Sequence, residues 1–242
     1  MIKSSSAVRR RSFLLPVFVF ADNLKLKKTK TIRNINLTGK DYWEDKWVNK
    51  FTEDGAEPGS FVVETEAFLR RRGLRTVLDL GSGKGRGSLW LSAKGYEVTA
   101  LDISPSALAH IHSLDPRVKT ICTDIAAFKG SGLCFDWVLA DLSLHYWDDT
   151  TTRMIIAEIY KALVPGGCFS IACKSVADFE YGQGRKIAAD TFEHGHIRHF
   201  FSLDYMRELL REFEIEKTAE TERREKHYGH YRTVEAVAFK PK

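Results

Sequence analysis

Residues 77–87 read Val-Leu-Asp-Leu-Gly-Ser-Gly-Lys-Gly-Arg-Gly, an apolar run that passes straight into a loop with glycine at every second position. Thr76, Val77 and Leu78 read as a short buried strand, and Ser88-Leu-Trp-Leu-Ser-Ala as the start of a helix. Glycines at 81, 83 and 85 let the backbone turn sharply and let a ligand approach where a Cβ would clash. Asp79, two positions before the first glycine, places an acid at the carboxyl end of the strand. Strand, glycine loop and helix in this order predict a nucleoside-cofactor site on an α/β sheet.

Two other glycine loops fail on register. A phosphate loop, G-x-x-x-x-G-K-[ST], needs glycine where Leu78 stands and a hydroxyl where Gly85 stands. The dinucleotide fingerprint G-x-G-x-x-G needs its third glycine at Arg86 when it starts at Gly81, and at Ser88 when it starts at Gly83. What remains is D-x-G-x-G-x-G, Asp79 to Gly85. This resembles the cofactor loop of the class I S-adenosylmethionine-dependent methyltransferases. The charge suits that ligand, which has no pyrophosphate to neutralise but carries an ammonium and a sulfonium that an acid attracts.

The chain beyond the loop continues the resemblance. Val98-Thr-Ala-Leu-Asp102-Ile103 is a second strand ending in an acid about twenty residues on, the spacing at which a carboxylate receives ribose hydroxyls. Ser104 or Pro105 then opens a helix, proline being suited to a first turn. Val118 to Ile125 reads as the third strand, and the resemblance implies that Asp124 meets the adenine amino group. Phe135 to Leu142 resembles the fourth strand with its post-strand motif at Asp141 and Leu142. Pro165-Gly166-Gly167 resembles the turn that enters strand five, Cys168 to Cys173. Taken singly, any of these acids could instead solvate a strand end or cap a helix. Together, Asp79, Gly81, Gly83, Gly85, Asp102, Ile103, Asp124, Ile125, Asp141 and Leu142 are the cofactor set that the resemblance implies.

A chain of 242 residues with 43% hydrophobic content is long enough for one large α/β domain. Cys122, Cys134, Cys168 and Cys173 show neither C-x-x-C nor metal-ligand spacing, so neither a disulfide framework nor a metal is expected. The net charge of +5 is unevenly placed: residues 1–40 hold ten Lys/Arg and one acid, leaving 27 basic against 31 acidic residues in 41–242. The body thus lacks the basic footprint of a nucleic-acid binder, and no such partner is expected.

Residues 1–40 read as a basic arm outside the folded domain, which spans 41–242. Arg9-Arg10-Arg11, several serines and no acid before Asp22 fit a mitochondrial presequence. Ser12 to Ala21 also fits a secretory signal, though its apolar run is too short to span a bilayer. A third reading is an upstream stretch from a misassigned start, which would need a non-Met codon because the next methionine is Met154. Dependence on an intracellular cofactor favours a cytoplasmic location over secretion.

The acceptor side carries weaker signals. Asp41-Tyr-Trp-Glu-Asp-Lys-Trp-Val-Asn49 places Trp43 and Trp47 on one helix face. It resembles the amino-terminal helix of the thiopurine methyltransferases, which implies that both indoles cover the cofactor. The full glycine run and Ser88 to Val98 look more like the tellurite-resistance methyltransferases. Leu142-Ser-Leu-His145-Tyr-Trp follows strand four, where ligands of such sheets bind, so His145 can serve as general base or merely stabilise its loop. It lacks the Asn/Asp-Pro-Pro-aromatic run of base-modifying relatives. Residues 178–199 are too long for an ordinary loop and read as an acceptor lid. The tellurite-type relatives carry a basic-aromatic segment at this place, and that resemblance implies that Arg198 or His199 holds an oxyanion acceptor; the bland alternative is a surface His/Arg cluster. A Ser202-capped helix and two alternating strands, from Phe213 and from Thr233, close the chain, with Glu222–Arg232 as a solvated turn between them.

The expected fold is a single doubly wound, Rossmann-like sheet of seven strands, the last antiparallel, with helices on both faces and an amino-terminal helical extension. The expected reaction is methyl transfer from S-adenosylmethionine to a small-molecule acceptor such as a thiol or chalcogen oxyanion. The alternatives are an RNA or protein methyltransferase recruited by the basic arm, a non-catalytic module that keeps the cofactor fold, and an NAD-linked reductase.

Overall fold

The computed structural model describes residues 39–49, 57–225 and 229–242, so the arm lies outside the described residues apart from Gly39 and Lys40. Those two open α1 (Gly39–Asn49), which is followed by α2 (Ser60–Leu69). The central sheet then begins with β1 (Thr76–Leu80), α3 (Arg86–Ala93), β2 (Glu97–Asp102), α4 (Pro105–Leu114) and β3 (Lys119–Cys122). After it come β4 (Phe135–Asp141), α5 (Asp149–Ala162) and β5 (Leu163–Lys174). Three short strands follow, β6 (Arg185–Ala188), β7 (Thr191–Glu193) and β8 (Ile197–His199). The chain closes with α6 (Leu203–Leu209), β9 (Glu214–Glu225) and β10 (Gly229–Phe239).

Seven strands form one sheet in the order β3-β2-β1-β4-β5-β10-β9. The first five pair in parallel, and β10 runs antiparallel to both β5 and β9. The seven-stranded, doubly wound sheet with a reversed last strand is thus as expected. Strands β1, β2 and β4 read as near-continuous apolar runs because helices cover both of their faces. Alternate residues supply two cores: Leu78, Leu80, Val138 and Phe169 pack with α5 and α6, while Val77, Val98, Leu139 and Trp137 pack with α2, α3 and α4. Strand order reverses between β1 and β4, and the crevice at their carboxyl ends is where ligands of open α/β sheets bind.

Three segments differ from the sequence reading. Pro165-Gly166-Gly167 is not a turn ahead of β5 but a bulge within it: Phe135 pairs with Leu163 and Trp137 already with Cys168. Residues 178–199 are ordered by their own antiparallel sheet, β6-β7-β8. Glu222–Arg232 is no solvated turn, since Glu222–Glu225 belong to β9 and Gly229–Arg232 to β10, with Arg223 opposite Tyr231. The charge run deceived because its buried arginine is neutralised by acids from outside the run. Arg223 is buried and donates to Glu235 (Nε to Oε1, 2.8 Å; Nη2 to Oε2, 2.6 Å) and to Glu64 on α2 (Nη2 to Oε2, 2.9 Å).

Candidate active site

The three loop glycines have left-handed φ values of 75°, 54° and 85° at 81, 83 and 85, a conformation other residues adopt at a cost of about 1–2 kcal/mol. Each also meets a different element. A Cβ on Gly81 would lie 2.5 Å from the Ser143 Cβ after β4, and one on Gly83 would lie 2.6 Å from Cζ2 of Trp47 on α1. The first demand on these glycines is therefore internal packing, in addition to any ligand approach. Gly85 is the N-cap of α3.

Asp102 ends β2 and is buried. Its Oδ2 accepts from the Gly83 N–H (2.8 Å) and its Oδ1 from the Ser104 N–H (2.9 Å), so the second strand holds the glycine loop in place. Asp79 accepts from Ser88 Oγ on α3 (2.6 Å). Burial, with Asp102 nearby, raises its carboxyl to about 6 against the partial relief of that hydrogen bond. Asp141 ends β4 and is pushed up to about 7 by burial first, then by the charges of Glu225, Asp79 and Glu235, with Arg86 opposing. Asp124 follows β3 and accepts from the Ala126 N–H (2.8 Å), the capping role that a lone acid fills. Ile125 is buried with its Cδ1 3.2 Å from the Gly81 Cβ position. Leu142 has φ 54°, rare outside glycine, and turns the chain so that Ser143 reaches Gly81.

Helix α1 spans this carboxyl edge. Trp43 and Trp47 stack at 6.2 Å, and Trp47 rests on Gly83. Glu44 on the same helix accepts from Ser104 Oγ (2.5 Å) and from Ser106 Oγ at the start of α4. Sequence reasoning missed that clasp, since nothing local links residues 60 apart. It missed Arg86 as well, whose Nε donates to the Glu57 carbonyl (2.6 Å) and whose Nη2 lies 3.6 Å from Glu225.

On the other side of Leu142, His145 is 1% exposed and its Nδ1 has no hydrogen-bond partner among the described residues. Burial holds its pKa well below the ordinary value, helped by the positive charges of Arg198, Lys174 and Lys46, so the ring is neutral. Arg198 on β8 pairs with Glu180 (2.7 Å) and stands 3.1 Å from His196 Nε2. His199, its neighbour along the strand, faces the opposite way toward Tyr205 and Phe201. Of the two, only Arg198 is on the side of α1. Among the described residues no metal-binding cluster occurs, and no helix is long and apolar enough to cross a membrane.

The buried hydroxyls of Ser82 and Ser143 have no hydrogen-bond partner among the described residues. Polar groups left unmatched beside buried carboxylates suit a polar, cationic ligand. Residues 77–167 match a family described as "Methyltransferase domain". The malonyl-[acyl-carrier protein] O-methyltransferase of Salmonella typhimurium is 32% identical over 108 residues, 44% of this chain and 42% of that protein. The chain thus matches less than half the length of that curated relative. Among solved structures, TehB from Haemophilus influenzae covers 82% of this chain and 67% of its own at 20% identity, with a TM-score of 0.60. The 1,6-didemethyltoxoflavin-N1-methyltransferase of Burkholderia thailandensis, solved with 1,6-didemethyltoxoflavin and S-adenosylhomocysteine, covers 76% of this chain and 80% of its own at 22% identity, with a TM-score of 0.59. A segment that matches a methyltransferase domain, residues 77–167, is thus set in the fold that these solved methyltransferase structures share, with its strands ending on the acids described.

Proposed function

We propose that the chain transfers a methyl group from S-adenosylmethionine to a small-molecule acceptor. The observation that carries this reading is the junction of Asp102 with Gly83, which fixes a glycine loop and a ribose-type acid at the switch point of the sheet. The small-molecule part is supported by the 1,6-didemethyltoxoflavin-N1-methyltransferase among the neighbours and by the mildly acidic body.

When bound, S-adenosylmethionine supplies an electrophilic methyl group on a positive sulfur and leaves as a neutral thioether. The chain's own residues have to bind, align and exclude water. Asp102 keeps lone pairs for ribose hydroxyls beyond those used on Gly83 and Ser104. Asp124 and the Ile103 and Ile125 side chains take the adenine edge. Asp79 and Asp141 provide negative charge for the ammonium and sulfonium, and Leu142 holds its loop against them. Trp43 and Trp47 cover the loop and keep water out. His145, neutral and buried, is the base for an acceptor that must lose a proton, and Arg198 steadies the resulting charge. A thiolate or chalcogen oxyanion would need no base.

The test pairs calorimetry with S-adenosylhomocysteine release against thiols, selenite, tellurite, amines and aromatic acceptors. Asp102→Ala is expected to raise the cofactor Kd at least about tenfold. Unchanged affinity in that variant moves the ribose site elsewhere; no product release with any acceptor overturns the small-molecule reading.

A further inference from the structure

The last hairpin of the sheet brings to the carboxyl edge an acid that the strand-end loops do not supply. Glu225 is the final residue of β9, and its carboxylate reaches the start of α2. Its Oε1 accepts from the Ser60 N–H (3.0 Å) and from Ser60 Oγ (3.2 Å), satisfying a donor at the open end of that helix. Its Oε2 is buried with no hydrogen-bond partner among the described residues, and the side chain is 10% exposed. A Cβ on Gly59, just before α2, would lie 2.8 Å from Asp141 Oδ2 and 3.4 Å from Glu225 Oε1. The two carboxylates therefore meet around one glycine, within about 6 Å of each other.

The charges around Asp141 do not cancel. Asp79 acts on it from β1, Glu225 from β9 and Glu235 from β10, while the Cys173 thiol on β5 is held protonated by burial. Arg86, at the start of α3, opposes them, and its Nη2 stands 3.6 Å from Glu225 Oε2. Glu235 is answered by Arg223, which Glu64 shares. Asp79, Asp141 and Glu225 thus have one guanidinium among them, and like carboxylates this close disfavour one another's ionisation. The Asp141 carboxyl, raised to about 7 by burial first and by Glu225 next, agrees with that count.

Resting on the methyltransferase reading above, we propose that uptake of S-adenosylmethionine is coupled to release of a proton from Asp141, and that Glu225 is the positioning residue that holds this proton in place in the cofactor-free chain. Asp141 gives the proton to solvent, the O–H electron pair stays on the carboxylate, and the new anion balances the incoming positive charge. Glu225 remains bound to Ser60 and acts through Asp141 alone. Asp79 lies on the same crevice and contributes a smaller share. A cation is therefore favoured over a neutral nucleoside, and increasingly so as pH rises toward neutrality.

The experiment titrates the full chain with S-adenosylmethionine and, separately, with 5′-methylthioadenosine, which lacks the ammonium, the carboxylate and the sulfonium. Calorimetry at about pH 6.5 in phosphate and in imidazole buffer reads the protons exchanged, because the two buffers differ in heat of ionisation. Release of more than about half a proton per S-adenosylmethionine is expected, with almost none for 5′-methylthioadenosine. The Kd for S-adenosylmethionine is expected to fall at least about fivefold between roughly pH 5.5 and 7.5. Glu225→Gln keeps an acceptor for Ser60 and is expected to cut the release about twofold or more, with 5′-methylthioadenosine affinity within about threefold of the parent. Glu225→Asp, which keeps the charge, is expected to restore the release. Asp141→Asn leaves the Glu225–Ser60 contact intact and is expected to lose most of the release, which keeps the proposal open to refutation if Glu225→Gln does not fold. Binding of S-adenosylmethionine without proton release, equal release with both nucleosides, or parent-like release in Glu225→Gln or Asp141→Asn overturns the proton coupling and leaves the methyltransferase reading standing. No binding of S-adenosylmethionine by the parent chain overturns both.

Discussion

The loops after β1 and β2 and the loops after β4 and β5 end at the same edge of one sheet, yet they hold their shape by different means. On the first side the contacts are short-range and made by backbone: left-handed glycines, a carboxylate accepting from a loop N–H, a helix capped by Ser104. The buried acid there, Asp79, is raised to about 6 and, with Asp141 facing it from the end of β4, suits a positive partner. On the second side the contacts run between side chains distant in sequence, and the field at His145 is positive. A cationic donor and a neutral or anionic acceptor would thus each meet a pocket of opposite sign.

The firmest way to break this division is to unpin the second side from afar. Arg223→Met leaves Glu235 buried without its cationic partner, with only the Thr221 and Thr233 hydroxyls, and is expected to cost about 3–5 kcal/mol, read as a fall in thermal midpoint. Adding Glu235→Leu is expected to restore most of it. Hydrogen exchange on the single variant should show β9 and β10 amides released first. Equal release across β1 to β3 would mean the two sides form one cooperative unit.

Gly81→Ala tests the first side. Its left-handed φ and the 2.5 Å approach to Ser143 predict a loss of about 2–3 kcal/mol. A thermal midpoint matching the parent protein would show that the loop after β4 can give way, so that the two sides are not rigidly joined there.

The smallest effect concerns pH. Asp141 is raised to about 7 in the folded chain, so between about pH 4 and 7 the folded state keeps a proton that the unfolded state has lost. Its contribution to stability therefore falls as pH rises through that window. The lowered pKa values of His145, His196 and His199 act in the opposite direction at acid pH. The informative quantity is the difference between Asp141→Asn and the parent chain, which should grow in favour of the variant from pH 4.5 to 7.5. A pH-independent difference would remove Asp141 from the acidic pocket.

The same contrast explains which parts could be read from sequence. Asp79 to Gly85 and Asp102 were legible because backbone geometry restricts the residue at each position, and such restrictions leave fixed spacings. The parallel strands were legible as apolar runs alternating with helices, and the reversed last strand came with the family resemblance. Residues 178–199 gave no periodicity that could tell a lid loop from the small β6-β7-β8 sheet, because strands of three or four residues are too short to alternate visibly. Glu222–Arg232 looked solvated because charge was read residue by residue, whereas Arg223 is satisfied by Glu235 and Glu64 from elsewhere in the chain. His145 was singled out, but the packing of Tyr146 beside it against Trp43 and His196 joins three elements whose meeting no local pattern records.

Helix α1 has no fully buried residue, although its Trp47 sits on Gly83 and its Glu44 caps α4. Its attachment is a few polar and ring contacts, so its free energy of local opening lies far below that of the sheet beneath it. Opening that single helix would uncover the glycine loop together with the Tyr146 and His196 rings that Trp43 and Tyr42 pack against. Admission of the two reactants would then share one kinetic step, and the rate of α1 undocking would set an upper limit on turnover however fast the chemistry beneath it runs.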